Sequence, residues 1–224
     1  MVIGGVLTAV VALAIGAGGL VVYDRYDGAP QASTTKQARA GKPQAADAGA
    51  QAVLPQAAPG LFKRAPQACV IVSPDTVHRL VPAATIARGG GLTASTCDYS
   101  GKVGSRFREL RVETQIFTPA VSPDPVDDAK AAIGNRWADA REDPVVRTVE
   151  MRHVAGLGDE AYERYATDKG QPTVVGEVVM RVRNSLVAVS YVENAPAAGG
   201  ADAARQRCLA EATAVAREIL RAFK

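Results

Sequence analysis

Three cysteines, two histidines and one tryptophan are all that 224 residues carry of these types, and aromatics make up only 5%. Neither His78 nor His153 has a recognisable partner for acid–base work. No Cys/His spacing of a zinc site exists. Nucleophile motifs are missing too: there is no G-x-S-x-G elbow and no S-x-x-K with its partners. Gly89-Gly90-Gly91 does not lie between a strand and a helix, as a phosphate cradle would, and reads as a loop. Asp127-Asp128 falls in the first turn of a helix, where carboxylates complement the helix dipole. Asp159-Glu160 reads as a tight turn entering a strand. No residue is nominated as catalytic, cofactor-binding or metal-ligating.

Charge is absent from Met1 to Tyr23. The apolar run from Val2 to Val22 has about the 20 residues needed to cross a hydrocarbon core of ~30 Å. This predicts a transmembrane anchor over residues 1–23, with the membrane as a partner. A cleaved signal peptide is the other reading. It needs a basic n-region, a shorter core and a small-residue cleavage site, and no Lys or Arg stands before position 25. No cysteine follows the run until Cys69, which argues against a lipid anchor. Arg25, Lys36, Arg39 and Lys42 lie after the span and taken alone would place the rest of the chain inside. Cysteine usage points outside, and a basic segment upstream of Met1 would reconcile the two. The expectation is a single-pass cell-membrane protein with its C-terminal domain extracytoplasmic.

Residues 24–65 hold six basic and three acidic side chains, the whole net excess of +3. The chain after residue 65 is balanced, 20 against 20, and offers no electrostatic footprint for nucleic acid. From 24 to 65 the composition is Ala, Gln, Pro and Gly with few large apolar residues, which predicts a disordered linker. Arg outnumbers Lys 19 to 7, in keeping with a GC-rich bacterial genome.

Residues 66–224 are the size of one domain. Ser73 and Pro74 suit the start of a helix carrying Val77, Leu80 and Val81, and Pro82 stops it. Ala87 to Ser95 reads as loop. In Arg106–Phe117, Leu110, Val112, Thr114 and Ile116 share one parity and Glu109, Arg111 and Glu113 the other, the pattern of a half-buried strand. A second helix opens at Ser122–Pro125 with Val126, Ala129, Ile133, Trp137 and Ala140 as its stripe. Strands follow at Val145–Val154, Glu160–Thr167, Thr173–Arg183 and Leu186–Glu193, the last two joined at Asn184-Ser185. A closing helix over about Ala201–Phe223 carries Cys208, Ala212, Val215, Ile219 and Ala222, widened by Leu209, Ala216 and Leu220. The fold class is α+β: a largely antiparallel sheet of about five strands covered by helices, behind the transmembrane helix.

Cys69 and Cys97 bracket the first helix and the glycine loop, and a disulfide between them would close that segment. Cys208 sits on the inward stripe of the last helix; a pairing of Cys208 with Cys69 or Cys97 stays open. His78 is expected to be exposed and His153 to sit at the edge of the core.

Three stretches together carry a resemblance. They are Cys69 before a short helix with Cys97-Asp98-Tyr99 opening a strand, Gly156-Leu157-Gly158-Asp159-Glu160-Ala161, and Arg181 to Val189 ahead of an Ala-rich closing helix. They resemble an uncharacterised family of secreted, membrane-attached or lipid-anchored actinobacterial proteins. That family is similar in shape to the extracellular sensor domains of actinobacterial receptor kinases and to PsbP-like folds. Tyr99 stands where the family often has Trp, and its lipobox is absent. The resemblance implies the compartment, the disulfide and the fold, and implies no activity. The leading functional expectation is a non-catalytic extracytoplasmic domain that binds an unidentified small ligand or envelope protein. The alternatives are a structural or assembly protein of the envelope and, third, an envelope hydrolase.

Overall fold

A computed structural model describes residues 60–197 and 199–223. The anchor expected over residues 1–23 and the linker as far as residue 59 lie outside the described residues. Among the described residues no helix is long and apolar enough to cross a membrane.

The elements follow in the order α1 (Pro74–Leu80), β1 (Thr85–Gly90), β2 (Ala94–Val103), β3 (Arg106–Ile116), α2 (Pro125–Asp139), β4 (Val146–His153), β5 (Glu160–Asp168), β6 (Thr173–Val182), β7 (Ser185–Asn194) and α3 (Ala201–Ala222). The fold is α+β. All strands join one antiparallel sheet in the order β1-β2-β3-β7-β6-β5-β4. Seven strands replace the expectation of about five: β1 reads as loop in the sequence, and β2 begins at Ala94, ahead of the Cys97 at which the resemblance opens a strand. The segment read as loop, Ala87 to Ser95, is the hairpin between them. Gly90 makes this possible: its φ is +110°, and a Cβ there would stand 2.3 Å from the Ala94 carbonyl oxygen. Glycine here closes a tight turn instead of loosening a loop.

Ser73 caps α1 through a hydrogen bond from the Thr76 amide, with Pro74 in the first turn, as its sequence predicts. Asp124 does the same for α2, accepting from the Asp127 amide at 3.1 Å. Strand parity sends the two faces of the sheet to different partners. On one face Leu110, Val112, Val178, Met180, Val187 and Val189 pack with α1 and with Ala204, Cys208, Ala212, Val215, Ala216 and Ile219 of α3. On the other face Ile133 of α2 packs on Tyr162, Val179, Leu186 and Ala188. Phe223, not Ala222, completes the buried stripe of α3, because the helix ends one residue earlier and turns the ring inward.

The β6–β7 turn is Arg183–Asn184, one residue earlier than Asn184-Ser185, since Val182 pairs with Ser185. Arg183 carries the positive φ of +54°. Asn184 is instead fully buried, and its side chain is used for bonding: Nδ2 donates to the carbonyls of Phe62 (2.9 Å) and Phe117 (2.7 Å), and Oδ1 accepts from the Phe62 amide (2.9 Å). Residues 60–65, read from composition as the end of a linker, are thus already packed. Phe62 meets Phe223 edge-on at 5.1 Å, lies beneath the Arg183 guanidinium, and is followed by buried Ala65.

Candidate functional site

Between β4, β5 and α3 runs an open groove of about 570 Å³. Two local patterns build it. A bulge in β4 between Thr148 and Glu150 resets the strand so that Glu150 lies opposite Tyr165 and Arg152 opposite Glu163, all on the α3 face. On the helix, Arg205, Leu209, Thr213 and Arg217 are spaced by four and line one edge. Val154 and Leu209 supply apolar lining.

The charges in the groove are mostly tied to one another. Arg152 lies 2.6 Å from Glu163, a carboxylate that is 7% exposed. Arg205 bonds Glu150 at 2.8 Å and reaches Asp202 at 3.2 Å. Arg217 makes no ion pair or hydrogen bond among the described residues. Three guanidiniums against two carboxylates leave the lining with one cation to spare. Such a surface can hold a polar or anionic group beside an apolar one.

The opposite face of the sheet carries a second set of charges. In register across five strands stand Asp98, Arg111, Ser190, Glu177 and Arg164. Arg111 bridges Asp98 (3.2 Å) and Glu113 (2.7 Å), and Arg136 of α2 meets Glu113 from above at 2.9 Å. Arg164 is shared between Glu177 (2.9 Å) and Asp143 (3.4 Å). Burial pushes the Asp98 carboxyl above its ordinary range, against the pull of Arg111. Burial and the nearby Asp98 do the same to Glu109. Burial opposes ionisation of Glu113 as well, but the guanidiniums of Arg136 and Arg111 outweigh it and hold that carboxyl low. Three arginines shared among four carboxylates stitch α2 and its following loop to the sheet.

Cys69 and Cys97 form the disulfide expected from their placement, with Cα atoms 5.1 Å apart. Cys208 is free and buried, and burial raises its thiol pKa to about 12. His78 is exposed on α1. His153 is exposed at the end of β4 and stacks on Trp137 at 4.2 Å, whose ring meets Tyr162 edge-on at 5.2 Å. One member of each acidic pair, Asp127 and Asp159, has a structural partner. Asp127 pairs with Lys130 at 2.5 Å, and Asp159 accepts from Arg181 (3.0 Å) and from the Arg183 amide (2.6 Å), bracing the β6–β7 turn. Among the described residues no group of three or more His, Cys, Asp or Glu is placed to hold a metal ion.

Arg152 of β4 and Arg164 of β5 lie on opposite faces of the sheet. The groove itself was missed. Its signal was the fourfold spacing 205-209-213-217 beside the apolar stripe of α3. Compared with family models the chain matches none, and no curated protein matches it.

Proposed function

We propose that this protein is a membrane-tethered, extracytoplasmic binding domain, non-catalytic, that takes an unidentified ligand or envelope partner in the groove beside α3. The observation that carries the reading is the groove's lining: Arg152 and Arg205 are held in place by Glu163 and Glu150, while Arg217 is left to face an incoming group. Charges pre-positioned by ion pairs lose little freedom on binding, which favours recognition. The Cys69–Cys97 disulfide supports an oxidising compartment, and the apolar run at 2–22 supports the tether. The resemblance to actinobacterial secreted and membrane-attached proteins belongs to the same reading.

The test is capture from a cell-envelope extract on the full chain in detergent, beside an Arg217→Glu variant of equal thermal stability. The reading expects a component retained by the wild type and lost by the variant. Identical retention by both would overturn the groove as the binding site.

A further inference from the structure

One end of the sheet gathers four segments. β1 ends and β2 begins there, around Leu92; β3 ends there ahead of residues 117–123; β6 and β7 meet there at Arg183–Asn184; and residues 60–66 enter there. Backbone bonds tie them together: the Ala65 amide donates to Leu92 (2.9 Å), Ile116 to Thr93 (2.8 Å) and Phe117 to Asn184 (2.8 Å). Residues 60–66, 90–94, 117–123 and 183–184 contain no acidic side chain, and their charges, on Lys63, Arg64 and Arg183, are all positive and exposed. Asp124, Asp127 and Asp159 border these segments and are engaged, the first in capping α2, the second on Lys130, the third on Arg181 and the Arg183 amide. The same segments carry two apolar side chains that the core leaves out: Leu92 is 66% exposed and Val121 85%.

We propose that this end of the sheet docks on the surface of an anionic lipid bilayer, with Leu92 and Val121 entering the headgroup region and Lys63, Arg64 and Arg183 meeting the phosphates. Binding at a bilayer surface draws on these two contributions together, buried apolar area and the attraction of cations to anionic lipid. A bilayer is the occupant because of where the chain leads: Gly60 begins the described residues at this end, and the apolar run 2–22 lies upstream of it. The inference rests on the reading of that run as a membrane tether. A tether makes docking an intramolecular event, so two apolar tips and three cations suffice where a free protein would need a larger patch.

The experiment places the full chain in vesicles of lipid brominated on the acyl chain. It follows the quenching of Leu92→Trp and, in a second loop, of Val121→Trp, above the signal of the native Trp137. Both positions are exposed, and thermal unfolding of each variant checks the fold. Flotation with the vesicles is measured on the same samples. The expected result is a floating chain with both probes quenched in phosphatidylglycerol vesicles. The docked-to-free ratio should fall about ten-fold when Lys63→Glu and Arg64→Glu are added, or when phosphatidylcholine replaces the anionic lipid. A floating chain with neither probe quenched overturns the docking and leaves the tether standing. A chain that does not float overturns the tether and the docking with it. Quenching indifferent to the charge reversals and to the lipid overturns the recognition of anionic lipid. Capture of an envelope protein through Lys63 and Arg64, with no quenching in vesicles, gives this end to a protein and overturns the proposal as well.

Discussion

The backbone of Cys208 rests on Gly176 with no room between them. A Cβ added at Gly176 would stand 2.4 Å from the Cys208 carbonyl carbon and 2.5 Å from its oxygen. Because both atoms belong to the helix backbone, no side-chain rotation can relieve the clash; α3 must lift from β6. Gly176→Ala is expected to destabilise the domain by about 1–3 kcal/mol, as overpacking of a tight core does. Urea unfolding of the variant checks it, and an unchanged midpoint would mean that the helix yields without cost.

The thiol of Cys208 is sealed by the same contact. It is fully buried, and its pKa is pushed up to about 12 by burial, with the Glu193 carboxylate adding to the shift. Thiolate is the reactive form. Titration with a thiol reagent near neutral pH is therefore expected to find no reactive thiol in the native, unreduced protein and one in urea. A fast native reaction would show that α3 opens readily.

Reduction of Cys69–Cys97 removes a tie between residues 28 apart in the chain. The chain-entropy argument gives a loss of about 3–4 kcal/mol for a loop of this size. The paired Cys69→Ala and Cys97→Ala variant should lose the same amount without reductant, while reductant should leave that variant unchanged. Equal stability of oxidised and reduced wild type would count against it.

Asn184 ties Phe62 to the β6–β7 turn from a position with no solvent to replace its bonds. Asn184→Ala is expected to cost about 2–4 kcal/mol, since partner groups are left unpaired in the core. Phe62→Ala should cost less. Combined, the two should cost clearly less than their sum, because both release the same segment. Strict additivity in the double-mutant cycle would show that residues 60–65 are held by other contacts.

Acid stability reports on Glu113. Its carboxyl is held below the ordinary range: burial pushes it up, but Arg136 and Arg111 prevail. Its contribution is complete above the unfolded pKa, about 4.3, and is lost as pH falls through the lower native value. Glu113→Gln should therefore be less stable than wild type at neutral pH, with the gap closing as pH drops below about 4. Asp98 and Glu109 act in the opposite sense. Their native pKa values are raised, so what they contribute declines as pH rises out of the acid range. A gap between wild type and Glu113→Gln that stays constant with pH would remove the ion pairs with Arg111 and Arg136 as its cause.

Where hydrophobic contrast is strong, the sequence is legible. β3 alternates Leu110, Val112, Thr114 and Ile116 with charges, and those four are buried. α2 and α3 show their stripes at helical spacing, and their buried residues follow them. β2 buries Ser95, Cys97 and Tyr99 against Thr96, Asp98 and Ser100, a contrast too weak to reveal a period of two. β1 is exposed throughout and ends in glycines, so it looks like the loop it is not. Asn184 shows a further limit: a polar residue in a turn gives no sign that the core encloses it. The groove needed the register between β4 and β5, which a bulge alters and no local pattern records.

The fastening at Phe62 also decides how the domain would carry tension. A pull entering at Gly60 reaches the Arg183–Asn184 turn, between the two strands nearest the middle of the sheet. If that knot gives way, the next holds are Ala65 on Leu92, Pro66 on Thr114 and Ala68 on Ser95. Behind them stands a covalent stop, Cys69 on Cys97 in β2. Residues 70–91, with α1 and β1, carry none of these holds. The free edge of the sheet would keep its shape while the strap in front of it is drawn tight.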